Sequence, residues 1–149
     1  MSTINITFPD SSVKSFESGI LCIDIIKSIS NSLAKKVLVA SFNGNLIDIS
    51  SSLSVDGHLK FFTWDDSEGK STFWHSSAHI LAEAIESIHP GVKFGIGPSI
   101  SNGFYYDIDF VDYDVSNLDL ELVEKKFIEL STSNLSFKRT EVKKADALK

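Results

Sequence analysis

Residues 36–49 read KVLVASFNGNLIDI, with Asn43-Gly44 set between the apolar run Val37-Leu38-Val39-Ala40 and the pair Leu46-Ile47. Two such residues between apolar runs are the strongest short-range sign of a β-hairpin, because a type I′ turn needs positive φ at both central positions and Asn and Gly tolerate it. The neighbours are read outward from this hairpin. Upstream, TINITF (residues 3–8) alternates apolar and polar, placing Ile4, Ile6 and Phe8 on one side of a strand. Pro9-Asp10-Ser11-Ser12 is a turn, and Val13 to Phe16 returns as a second strand. Cys22, Ile25, Ile26, Ile29 and Leu33 then fall at helical spacing behind Ser18, a candidate cap, with the Cys22 thiol read as core. Downstream, HLKFFTW (58–64) is a last strand. Strand, strand, helix, strand, strand, strand in about sixty residues suits a small sheet over one helix, the β-grasp arrangement. This domain ends near Thr63.

The polar, acidic WDDSEGK reads as a linker, and a second α+β region follows. A helix capped by Ser71 or Thr72 is expected to run to about Ile88, stopped by His89-Pro90-Gly91. Short strands follow in GVKFGIGPSISNGFYYDIDF, divided by glycines and an Asn102-Gly103 turn. Leu120, Val123, Phe127 and Leu130 mark another amphipathic helix, LSFKRTEV (135–142) a strand-like run, and KKADALK a helix that starts and is cut off.

The 149 residues are 42% hydrophobic and 23% charged, the balance of a soluble globular chain. No apolar run is long enough to span a membrane, and the N-terminus lacks the features of a secretory signal, so a cytoplasmic location is expected. One cysteine permits no internal disulfide and no cysteine-based zinc cluster. A net charge of −6 argues against binding nucleic acid through bulk charge and leaves room only for local basic patches. Lys138, Arg139, Lys143 and Lys144 form one such cluster, read first as a solvated face.

The chemistry concentrates in FWHSSAHIL (73–81), where His75 and His79 stand four residues apart on one helical face. Trp74, Ala78, Leu81, Ala84, Ile85 and Ile88 form the apolar stripe, and the histidines lie roughly opposite, so they are not core residues. Two exposed surface histidines would satisfy the same pattern. Ser76 occupies the place of the glutamate that a zinc peptidase uses as its base. Further ligands are weak: His58, His89 (expected at the helix C-terminus) and the aspartates 107, 109, 112 and 114. GIGPSI lacks a nucleotide fingerprint. By themselves these residues support a hydrolytic or metal-binding half-site.

The segments ITFPDSSVKSFESG, DIIKSIS, LAKK and FNGNLIDIS, followed by HSSAHILAEAI and HPGVKFGIGPSISNGFYYDID, resemble the N-terminal region of bacterial threonyl-tRNA synthetases across essentially the whole chain. The resemblance implies a β-grasp (ubiquitin-like) TGS domain at 1–63, a linker at 64–71, and at 72–149 the N-terminal part of an α+β editing domain shared with alanyl-tRNA synthetases. It implies a parent that attaches threonine to tRNA(Thr) with ATP and hydrolyses Ser-tRNA(Thr). Serine keeps the hydroxyl and lacks only a methyl, worth about 1–3 kcal/mol of discrimination, so a second sieve is needed. His75 and His79 match the family's H-x3-H motif and would position water or take its proton. Tyr105, Tyr106 and Asp107 match the second segment and are expected to shape the pocket.

The family's completing C-x3-H motif, its ATP- and zinc-bearing catalytic core and its anticodon-binding domain lie downstream and do not fit within this chain. No cofactor is therefore expected to bind tightly here, and tRNA(Thr) binding and homodimer formation are expected of the parent. Two departures stand out: Ser11 where a turn glycine is common, which should weaken the turn slightly, and Trp74 where a basic residue is frequent, which is expected to alter the pocket rim. The competing readings are a non-catalytic RNA- or protein-binding β-grasp module and a free-standing editing factor acting in trans.

Overall fold

The computed structural model describes residues 2–133 and 140–147. One compact unit comprises residues up to His79 together with Gly95–Asp107, and a second comprises Ile80–Phe94 with the described residues from Ile108 onward.

In the first unit, β1 (Thr3–Thr7) and β2 (Val13–Glu17) form an antiparallel hairpin, Ile4 opposite Phe16 and Ile6 opposite Lys14. Ser11 carries the turn at φ 66°, and Asp10 Oδ1 accepts from both the amide and the hydroxyl of Ser12, which holds a non-glycine residue in that conformation. These bonds also hold the Asp10 carboxyl below its usual pKa. The short β3 (Ile20–Leu21) leads directly into α1 (Cys22–Ile29). Ser18 does not cap α1. Its hydroxyl donates to the Ser54 carbonyl, while the first helical amides, Cys22 and Ile23, donate to the carbonyls of Ser51 and Ile49. Nor does the helix run on to Leu33. Ser30 is extended and starts the separate turn α2 (Asn31–Ala34), its hydroxyl accepting from the Ser32 and Leu33 amides.

The expected hairpin is formed by β4 (Val39–Phe42) and β5 (Asn45–Ile47), with Asn43 at φ 50° and Gly44 at φ 83°. Asn43 does more than turn the chain, because its side chain accepts from the His58 amide and its own amide donates to the His58 carbonyl. A second two-residue strand, β6 (Ser52–Leu53), pairs with β3. Then β7 (Gly57–Phe62) enters the centre of the sheet, parallel to β1 and antiparallel to β4, giving the order β2-β1-β7-β4-β5. Around α1 the core closes on Ile4, Ile6, Cys22, Ile25, Ile26 and Leu59. Burial, with the nearby Asp48 charge adding to it, pushes the Cys22 thiol up to about 11.

The long helix α3 spans Ser67–Ile88, beginning ahead of the expected Ser71 or Thr72 caps. The Thr63–Asp66 turn starts it. Asp66 Oδ2 accepts from the Thr63 amide and hydroxyl at 2.7 and 3.2 Å, while the Asp66 carbonyl accepts from the Lys70 amide. Gly69 is buried against this turn, and a Cβ there would collide with the Thr63 carbonyl oxygen. Also in the first unit, β9 (Ser99–Ile100) and β10 (Gly103–Phe104) pair across Ser101-Asn102, so the turn lies one residue ahead of the expected Asn102-Gly103 and Gly103 opens β10 at φ 146°.

In the second unit, β8 (Lys93–Phe94) pairs antiparallel with β11 (Ile108–Asp109), and α4 (Leu120–Thr132) is capped by Asp119, whose carboxylate accepts from the Leu122 amide. A single turn, α5 (Lys144–Ala147), begins the expected last helix. The strand-like run 135–142 and the cations Lys138 and Arg139 lie mostly outside the described residues, whose portion at 140–143 is irregular. Among the described residues no helix is long and apolar enough to cross a membrane.

Candidate functional site

Helix α3 sorts its side chains as the sequence pattern requires. Ala78, Ala84 and Ile85 are buried, whereas His75 and His79 are exposed. One helical turn apart, the two imidazoles meet edge to face: Nε2 to Nε2 is 3.1 Å, and the ring centroids are 4.6 Å apart at 83°. Only one proton can lie between those nitrogens. In the neutral pair one ring donates through Nε2–H and therefore keeps a lone pair on Nδ1, while the other accepts at Nε2 and carries its proton on Nδ1. The pair thus offers one basic nitrogen and one N–H donor to solvent, the two functions needed to hold and deprotonate a water. Protonating both rings places N–H against N–H and breaks the hydrogen bond.

Zinc takes four ligands in structural sites and three protein ligands in catalytic ones, and the two histidines supply two. Among the described residues no group of three His, Cys, Asp or Glu side chains assembles. His58 is placed in β7, and its amide is engaged by Asn43. His89 ends α3 through its amide, which donates to the Ile85 carbonyl, and its ring packs on Tyr113 at 4.3 Å and on Phe110. Two of the aspartates serve turns: Asp109 accepts from the Val111 amide, and Asp114 accepts from the Ser116 amide, which lowers its pKa.

The helix beneath the histidines is held by hydroxyls and rings. Ser77, buried, donates back to the Phe73 carbonyl at 2.9 Å, and the hydroxyls of Ser71 and Ser99 lie 2.9 Å apart. Trp74 packs with Trp64 at 5.5 Å, Phe73 at 5.3 Å and Phe104 at 6.3 Å. Its indole N–H is buried without a hydrogen-bond partner among the described residues, which makes packing the residue's main contribution.

Of the three pocket candidates from the second segment, Tyr105 is 54% exposed and Tyr106 half-buried. The Tyr106 ring lies so close over Gly97 that a Cβ there would come within 2.5 Å of it. Asp107 is an exposed residue whose backbone is fixed, its carbonyl accepting from the Gly95 amide and its amide donating to the Ile96 carbonyl. The glycines of GIGPSI are therefore packing positions. Sequence reasoning missed the exposed aromatic pair Trp64 and Phe73, whose rings meet at 5.1 Å. The available signal was the placing of bulky aromatics on both sides of the polar segment 65–72.

Residues 4–63 match the TGS domain family. The chain is 50% identical over 145 residues to the threonine–tRNA ligase of Cytophaga hutchinsonii, covering 97% of this chain and 22% of that protein. It is 46% identical over 145 residues to the enzyme of Flavobacterium psychrophilum, with the same coverage. With that of Parabacteroides distasonis it shares 47% over 146 residues, covering 98% of this chain and 22% of the relative. The chain spans about a fifth of the length of the curated relatives it matches. A β-grasp sheet matched as a TGS domain, continued by the H-x3-H helix and by similarity along nearly every residue, makes this chain similar throughout to the N-terminal region of threonine–tRNA ligases.

Proposed function

We propose that the chain supplies the N-terminal appendage and half of the editing site of a threonine–tRNA ligase. The observation that carries this reading is identity near one half along 97% of the chain to threonine–tRNA ligases. In this reading residues 1–63 are the TGS domain, 64–71 a linker and 72–149 the beginning of the editing domain. The parent joins threonine to tRNA(Thr) using ATP, works in the cytoplasm as a homodimer, and removes serine wrongly attached to tRNA(Thr). ATP and zinc belong to its catalytic domain, outside these residues.

The histidine pair performs the proofreading chemistry. The ring with the free Nδ1 lone pair takes a proton from water as the water oxygen bonds to the ester carbonyl carbon, and the neighbouring Nδ1–H orients the reacting oxygens. Collapse of the tetrahedral adduct breaks the ester C–O bond, the ribose oxygen takes up the proton, and serine leaves. Tyr105, Tyr106 and Asp107 shape the pocket.

The test is serine release from Ser-tRNA(Thr). In the parent protein His75→Ala is expected to slow release by about 10²- to 10⁴-fold, the scale of a lost acid–base group. Equal rates in wild type and variant would refute the role. The 149-residue chain is expected to be inactive, and robust histidine-dependent hydrolysis by it alone would overturn the half-site reading.

A further inference from the structure

On the first unit, a cleft of about 380 Å³ is bounded by Lys35, Lys36, Thr63, Trp64, Asp65 and Phe73. Two of its walls are aromatic and open to solvent. Trp64 is 44% exposed and Phe73 42%, with the rings perpendicular at 87°. Exposed aromatics grouped in a concave site, rather than scattered singly, mark a surface that receives a partner. Two lysines add positive charge beside Leu38, Thr63 and Asp65. Lys35 and Lys36 are exposed in the turn after α2, and outside the lining Lys70 Nζ stands 6.0 Å from the Trp64 ring centroid. Neither Lys35, Lys36 nor Lys70 is in an ion pair among the described residues, where the pairs are Lys27–Asp24 and Lys126–Glu129. Asp65 opposes them from the lining, and the carboxylates of Asp66 and Glu68 stand in the adjoining turn and first turn of α3. Within the lining two lysines face one aspartate, a local excess of positive charge on a chain of net charge −6.

Flat aromatic faces beside free ammonium groups complement a strand that alternates flat bases with phosphates. An acidic peptide would use the lysines and leave the rings idle, and a duplex hides the base faces that the rings could stack on. We propose that this cleft seats an unpaired RNA segment, with a base stacked on Trp64 or Phe73 and the flanking phosphates held by Lys35 and Lys36. The preference for RNA over DNA rests on the ligase reading above. The cleft itself does not, and the histidines take no part in it.

The test is anisotropy of a fluorescein-labelled, mixed-sequence ten-nucleotide single-stranded RNA titrated with the 149-residue chain. Expected are saturable binding that weakens with salt and a loss of about 10-fold or more in the Lys35→Glu/Lys36→Glu variant. That variant should also flatten the log-affinity against log-salt slope by about 0.7 for each phosphate it no longer neutralises. Trp64→Ala should weaken binding about 5- to 100-fold and Trp64→Phe much less, the range expected for one stacked base. Lys14→Glu, a charge reversal elsewhere on the unit, should leave affinity unchanged. The lysine variants lie in an exposed turn and keep the test independent of Trp64→Ala folding. Absence of saturable binding at low salt, equal weakening by Lys14→Glu, or equal competition by DNA of the same sequence, by duplex RNA or by polyglutamate would each overturn the proposal. No ester is hydrolysed in this experiment, so failure of the editing assay and failure of this one are separable.

Discussion

Within the β-grasp, Ile6, Cys22, Ile25 and Ile26 are wholly buried, although they come from elements separated by turns and a hairpin. In residues 108–133, by contrast, Val111, Val115, Leu120, Leu122 and Ile128 are exposed, and Val123 is the one buried apolar residue. The difference is topological. A sheet whose central strand, β7, pairs with both β1 and β4 wraps α1 from one side and closes a core within sixty residues. A two-residue strand and one helix cannot do so, because a helix needs a second surface against its apolar stripe. Good periodicity in α4 therefore specifies a helix without supplying its burial.

Substitutions can break this contrast. Ile26→Ala, at a fully buried site, is expected to cost about 2–5 kcal/mol in urea unfolding. Ile128→Ala, 53% exposed, should change stability by less than about 0.5 kcal/mol. Equal costs would mean that the two regions do not differ as described. Next in size is Gly69→Ala. Its Cβ meets a backbone carbonyl rather than a yielding side chain, so a loss of about 1–3 kcal/mol is expected despite the higher helix propensity of alanine. A gain in thermal midpoint would show that the Thr63–Asp66 turn relaxes freely.

Gly44→Ala isolates conformation from packing, since nothing lies within 4 Å of the added methyl yet φ is +83°. A cost of about 1–2 kcal/mol would follow from the left-handed backbone alone, and hydrogen exchange should increase in β4 and β5. A final test is the pH response of Cys22. With the folded thiol at about 11 against an ordinary 9.0, its contribution to stability is complete below the unfolded value and is lost as pH rises from about 9 through 11. Native protein should accordingly react slowly with a thiol reagent at pH 8 and rapidly once unfolded. Fast labelling in native buffer would contradict the burial of this side chain.

Much of the β-grasp was legible because its signals are local. Alternation in TINITF, the Asn43-Gly44 turn and the spacing of Cys22, Ile25 and Ile26 each depend on residues within a few positions of one another. Strands β3 and β6 were not legible, because two residues cannot display a period and they exist only by pairing with each other. The caps misled for a related reason. A serine ahead of an apolar run is a good local candidate, but the first amides of α1 are satisfied by carbonyls of the distant segment 49–51. At the candidate site, helical spacing correctly placed His75 and His79 together and off the stripe. It could not reveal that Trp74 joins Trp64 and Phe104 in one cluster.

What the sequence determined by itself is therefore the set of strongly periodic elements, the special turn and the shared face of the two imidazoles, all consequences of backbone geometry at short range. Only the tertiary structure decided where β7 inserts, what ends and starts each helix, and that Trp64 and Phe73 open onto Lys35 and Lys36. Those outcomes depend on hydrogen bonds and packing between residues far apart in the chain, where no local preference selects the partner.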